Sequence, residues 1–422
     1  MRRSALEWLL GFSDPGLGIG WNPRASRAAR WRLGRMRALL RSAGEPDRQM
    51  RVVLIAGTKG KGSTAAFLAA MLHTAGVRAG LFTSPHLQTY RERVRVDGAM
   101  LSEADFGRAI ERLRPLVLRL RREHPAAGEP TTFELTLLLA LRAFAERGCA
   151  VAIVEVGLGG RLDATNALDP EVSVITSISY DHTAILGRTL AAIATEKVSI
   201  VRRGRPALIA VQRPAAARAI QRVCRHMGAE RRVVRPLGVH ADLALPGDHQ
   251  RQNAALAITA ARALGIDLRA IANGLRTTTW PARFERVRGR PPIVLDGAHN
   301  GASAEALART LRQERGGRRL VLVIGINRDK DARAVLKPLV RLASAVVVTR
   351  SSSPRAADPG GVARVAARGA RIPVTTAADV AAALAAARSA AGPDGLVCVA
   401  GSLALAADAR TALGLVPSER WW

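Results

Sequence analysis

The chain has 422 residues, 48% of them apolar and 4% aromatic, enough core for two or three domains and a mix that favours α/β layers over an all-β sandwich. Its 64 Lys+Arg against 34 Asp+Glu give a net charge of +30, but only five are lysines (Lys59, Lys61, Lys197, Lys330, Lys337), and the arginines are scattered throughout. Diffuse arginine without interleaved aromatics argues against a dedicated nucleic-acid binder, and three isolated cysteines (Cys149, Cys224, Cys398) exclude a disulfide scaffold and a zinc cluster.

No apolar run reaches membrane-spanning length. The opening MRRSALEWLLGF is too short, and interrupted by Glu7, to read as a signal peptide. An Arg-rich helix is expected over about 25–42, packed on the domain that follows. From 51 to about 212, short apolar runs at 52–57, 79–83, 150–156, 172–178 and 207–211 alternate with amphipathic segments. This is the βαβ signature of a parallel, doubly wound sheet. A helix is predicted over about 252–264. The stretch 277–292 is rich in Pro and charge and has neither period, so an interdomain linker is expected at 281–291. Alternation then restarts at 292–297, 320–325, 345–349, 372–375 and 396–401. The expected architecture is a P-loop-type parallel α/β domain over 1–280 and a smaller Rossmann-like α/β domain over 292–422.

The strongest local signal is GTKGKGST (Gly57 to Thr64), between an apolar strand and an apolar-periodic helix. Its glycines let backbone N–H groups turn around phosphate, Lys61 can reach the outer phosphates, and a hydroxyl from Ser63 or Thr64 can meet Mg²⁺. Gly62 departs from the usual spacing by separating lysine from hydroxyl. Further candidates sit at strand ends, where open α/β sheets bind ligands: Ser84 and His86, then Glu155 with Arg161, Asp163 and Asn166, then Asp181 and His182. A carboxylate such as Glu155 is a natural Mg²⁺ ligand. Each position also has a plain structural reading as a cap, a turn or a surface charge.

Taken in order, GTKGKGST, TSPHLQTYRERVRVDG, TTFELT, IVEVGLGGRLDATNAL, SYDHTAILGRTLAAIATEKVSIVR, QNAALA, WPARFE, LDGAHN and the DKD of GINRDKD resemble the folylpolyglutamate synthases and dihydrofolate synthases. These are Mur-ligase-like, ATP-dependent amide-forming enzymes. The resemblance runs from about residue 50 onward, with Lys59 where many members have Asn.

It implies an ATP phosphate cradle of Gly57, Thr58, Lys59, Gly60, Lys61, Gly62 and Ser63, with Asn253, Arg283 and Asp296 also on ATP. Ser84, Glu155 and His182 would hold Mg²⁺, and Lys197, if carbamylated, a second ion. Thr132, Phe133 and Glu134 would line the pterin site with Asp163 nearby; their alternative is a helix start capped by Thr131 or Thr132. His299, Asn300 and Ser402 would receive glutamate, and Lys330 matches in a charged loop. The catalytic set expected is Lys61, Lys197, Arg283 and His299. The resemblance implies a cytoplasmic, monomeric ligase that uses ATP, L-glutamate and dihydropteroate or tetrahydrofolate polyglutamates, with no nucleic-acid or membrane partner.

Overall fold

The run VVLIA carries no polar side chain, and Val52 to Ala56 are accordingly buried as a strand covered on both faces. In the computed structural model, which describes residues 3–12, 29–368 and 371–416, this strand belongs to the first of two units, formed by described residues of 1–86, 91–244 and 251–278. Its opening elements are α1 (Arg3–Leu10), α2 (Ala29–Ser42), β1 (Arg51–Ala56), α3 (Lys61–Thr74), β2 (Ala79–Phe82), β3 (Val94–Val96) and β4 (Ala99–Met100). There follow α4 (Glu103–Glu111), α5 (Arg114–Glu123), α6 (Thr132–Glu146), β5 (Val151–Glu155), β6 (Val172–Ile175), α7 (Thr183–Leu186) and α8 (Leu190–Val198). The series ends with β7 (Pro206–Ala210), α9 (Pro214–Met227), β8 (Glu230–Val234), α10 (Asp248–Ala263) and α11 (Leu268–Thr277).

The eight strands form one sheet in the order β4-β3-β2-β5-β1-β6-β7-β8. All pairings from β2 through β8 are parallel, and β3 and β4 extend the edge antiparallel. Five of these strands follow the expected apolar runs. The other three, β3, β4 and β8, do not, because they lie at the sheet's two flanks and carry charged or exposed side chains. The Arg-rich helix expected over 25–42 is present as α2 from Ala29, and residues 25–28 lie outside the described residues. The apolar opening is α1, whose Ala5, Leu6 and Leu9 are buried and which packs on α4 and α6.

The second unit takes 87–90, 245–250 and described residues from 279 onward. It holds β9 (Glu285–Val287), β10 (Ile293–Leu295), α12 (Gly301–Glu314), β11 (Leu320–Ile324), α13 (Ala332–Val340), β12 (Ala345–Val348), α14 (Pro359–Ala367), β13 (Val374–Thr376), α15 (Val380–Ala391), β14 (Leu396–Ala400) and α16 (Leu403–Ala412). The sheet order is β13-β12-β11-β14-β10-β9, parallel except for β9. Strand alternation divides the core cleanly. Leu320, Leu322 and Ile324 pack with Leu307, Leu311, Val335 and Leu336 of α12 and α13. Val321 and Val323 face the other way onto Ala383, Leu384 and Leu405 of α15 and α16. Residues 281–291, expected as a linker, contain β9, which pairs antiparallel with β10. No helix among the described residues is long and apolar enough to cross a membrane.

Candidate active site

The phosphate loop leaves β1 at Gly57 and enters α3 at Lys61. Gly57 has φ +148, and a Cβ there would lie 1.8 Å from Thr176 Oγ1. Gly60 has φ +92, and its Cβ would lie 2.2 Å from Asn253 Oδ1. Both positions therefore demand glycine, for conformation and for space. As the N-cap of α3, Gly60 offers no side-chain acceptor to the first turn, which suits an anionic ligand at the positive end of the helix.

The loop is stitched to the segment after β6. Thr58 N donates to Ser177 O (2.8 Å), Thr58 Oγ1 to Ser179 O (3.2 Å), and Ser177 Oγ to Lys59 O (3.2 Å). Lys59 Nζ lies 2.8 Å from Asp181 Oδ2. Lys61 Nζ lies 3.6 Å from Glu155 Oε1 and donates to Gly57 O at 3.4 Å. Glu155, buried at the end of β5, also accepts from Ser84 N at 3.2 Å. His182 sits in the left-handed region (φ 49) at the start of α7, with Nε2 3.8 Å from Asp181 Oδ1.

Among the described residues no three His, Cys, Asp or Glu side chains gather as a metal cage. Mg²⁺ does not require one, since it takes one or two carboxylates and completes its shell with water and phosphate oxygens. The buried Glu155 carboxylate beside Ser84 is a donor set of that kind. Thr64 Oγ1, buried on α3, makes no hydrogen bond.

Lys197 is 5% exposed. Burial, with Lys61 and Lys59 nearby, lowers its ammonium pKa to about 7, against the pull of Asp181 and Asp163. Its chain neighbour Glu196 pairs with Arg161 at 2.8 Å. Burial raises the Asp163 carboxyl above its ordinary range, although Thr165 and the N–H of Leu158 donate to it.

At α6, Thr131 is the N-cap and forms a capping box with Glu134. Glu134 is buried against Arg35, a residue that sequence reasoning had not singled out. Its partner lies 99 positions away, beyond the reach of any local pattern.

In the second unit, WPARFE is a built turn. Ala282 (φ 55) and Phe284 (φ 48) both occupy the left-handed region around Arg283, a cost that the surrounding bonds hold in place. Asp296, at the end of β10, accepts from Phe284 N and Ala298 N, both at 2.8 Å. Burial raises its carboxyl pKa, with Arg283 opposing. A Cβ on Gly297 would lie 2.7 Å from an Arg283 guanidinium nitrogen. His299 Nδ1 is 2.8 Å from the Gly297 carbonyl. A carbonyl only accepts, so Nδ1 carries the proton in the neutral ring. Asn300 caps α12 in a box with Ser303, and Ser402 caps α16. Lys330 pairs with Asp329 in a charged loop with Arg355.

The Mur ligase middle domain family matches residues 55–227, and the Mur ligase glutamate ligase domain family matches 282–403. The dihydrofolate synthase/folylpolyglutamate synthase of Bacillus subtilis is 37% identical over 354 residues, covering 77% of this chain and 82% of that protein. The solved Mycobacterium tuberculosis folylpolyglutamate synthase, complexed with ADP and AMPPCP, has a TM-score of 0.84 and 35% identity, covering 91% of this chain and 96% of that one. The Yersinia pestis bifunctional folylpolyglutamate synthase/dihydrofolate synthase, complexed with AMPPNP and Mn, has a TM-score of 0.82 and 29% identity, covering 97% and 98%.

Proposed function

The chain belongs to the folylpolyglutamate synthase/dihydrofolate synthase family, and on that premise we propose that it is an ATP-dependent ligase joining L-glutamate to a folate-type carboxylate. The observation that carries this reading is the uncapped N-terminus of α3 behind a glycine loop, with Lys61 3.6 Å from the buried strand-end Glu155. The acceptor carboxylate attacks the γ-phosphorus of ATP, the bond to the bridging oxygen breaks, and ADP leaves an acyl phosphate. Glutamate's amine then attacks the acyl carbon, loses a proton, and expels phosphate to leave the amide.

Such phosphoryl transfer depends on positioning and charge neutralisation more than on covalent help from the protein. Lys61 supplies a cation at the phosphates, and the α3 N-terminus supplies oriented N–H groups. A divalent ion held by Glu155 and Ser84, with His182 as the third expected ligand, would neutralise phosphate charge. Lys197, with a pKa of about 7, is substantially an uncharged amine at neutral pH. That is the form able to add CO₂ and become an oxygen ligand for a second ion. Asn253, Arg283 and Asp296 are proposed on ATP, and His299 with Asn300 and Ser402 on glutamate. Phe133 and Asp163 are proposed beside the pterin.

The test is phosphate release with ATP, Mg²⁺ and glutamate, with dihydropteroate in one reaction and tetrahydrofolate in another. Release in both, with the amide confirmed by mass, marks a bifunctional enzyme, which is the outcome expected. Release in one alone restricts the acceptor, and silence in both rejects the folate reading.

A further inference from the structure

The first turn of α6 presents three consecutive polar or aromatic residues, and two of them are already spent. Thr132 Oγ1 donates to Leu9 O of α1 at 2.9 Å, and Thr132 N donates to Phe12 O at 3.3 Å. Glu134 receives Arg35 Nε from α2 on both carboxylate oxygens, at 3.1 and 2.9 Å. Its Oε2 also accepts from Thr131 N (2.7 Å) and Thr131 Oγ1 (3.0 Å). Arg35 Nη1 also donates to Ala127 O at 3.1 Å. The Arg35 and Glu134 side chains are 9% and 3% exposed, so this is a desolvated pair, with Glu134 held from α2 and from Thr131 together.

Phe133, between them, packs edge-to-face on Phe82 with ring centroids 5.5 Å apart. A Cβ on Gly157 would lie 2.7 Å from its Cζ and 3.1 Å from Asp163 Oδ2. Phe133, Gly157 and Asp163 therefore form one contiguous wall, and the residue on either side of Phe133 is fixed by the two N-terminal helices.

We infer that Arg35 is a positioning residue for the acceptor: through Glu134 it fixes the first turn of α6, and so sets where Phe133 stands against Gly157 and Asp163. This rests on the proposed function, in which the aromatic acceptor lies against that wall. Buried ion pairs are weak sources of net stability, since desolvation offsets their attraction, yet they hold geometry tightly. The consequence of loosening this one is a misplaced aromatic wall, felt by the acceptor and not by ATP or glutamate.

The experiment is steady-state phosphate release on the full chain, with ATP, glutamate, Mg²⁺ and the acceptor each varied in turn. Arg35→Lys keeps the charge and loses the planar guanidinium. The double variant Arg35→Met with Glu134→Gln removes both charges and leaves neither unpaired. Both are expected to raise the acceptor KM about tenfold, with KM for ATP and glutamate within about twofold, kcat within about threefold and a cooperative melt retained. An active wild type with unchanged acceptor KM in both variants overturns the assignment. So does a uniform loss across all substrates that tracks the folded fraction, or failure of both variants to fold, since either makes Arg35 purely structural. A wild type with no acceptor-dependent release rejects the proposed function itself, and the assignment falls with it before any variant is compared.

Discussion

Lys59 and Lys61 stand two residues apart on one loop yet face different partners. Lys61 meets the buried Glu155 at 3.6 Å, and Lys59 meets the half-buried Asp181 at 2.8 Å. Lys61→Ala is expected to abolish phosphate release while leaving the thermal melt in place. For Lys59, phosphate and Asp181 are competing anions. Lys59→Asn should therefore raise the KM for ATP about threefold, and Asp181→Asn should lower it by a similar factor; equal shifts in one direction would remove the competition. Lys197 gives a pH test. Its folded-state pKa of about 7 lies below the ordinary 10.5, so between those values the unfolded chain holds a proton that the folded one does not. Stability through this group therefore rises as pH rises from about 7 toward 10.5. In CO₂-free buffer, the melting temperature of Lys197→Met relative to wild type is expected to be highest near pH 7 and to lose that advantage by pH 10. A pH-independent difference would contradict the buried, depressed lysine.

At the scale of elements, the central strands were readable because runs such as VVLIA and LVLVI contain nothing that could tolerate water on either face. β8 (ERRVV) and β9 (ERV) were not readable, since short charged strands at a sheet edge carry no apolar run. Asn300 and Ser402 illustrate a different ambiguity. Asn and Ser are both preferred helix caps and common ligand contacts, and only hydrogen bonds such as Ser402 Oγ accepting from Leu405 N (3.1 Å) reveal the capping role. The phosphate loop was legible because strand, glycines, lysine and helix adjoin in sequence. The Arg35–Glu134 pair was not, because nothing in either neighbourhood names the other. The α6 capping box makes a separate prediction. Thr131→Ala should cost about 1 kcal/mol of stability by denaturant titration, and more if freeing Thr131 also loosens Glu134.

For the whole molecule, the net charge of +30 is carried by diffuse arginine, which fits a surface that attracts anionic substrates without specifying one. Turnover at subsaturating ATP is accordingly expected to fall as salt rises, whereas turnover at saturation should change little. The second unit is a mosaic in sequence: residues 87–90 and 245–250 fold with the chain from 279 onward. Leu87 fills a cluster with Ala282, Ala406 and Ala407, and Gln88 receives Arg410 Nε at 2.9 Å. From the second insert, Leu245 and Gln250 are buried as well. A gene truncated to begin at Thr279 would thus encode every strand of that sheet and still lack two pieces of its interior. No single cut in the coding sequence releases this unit whole, so an excised second half would have to carry both inserts to keep these contacts.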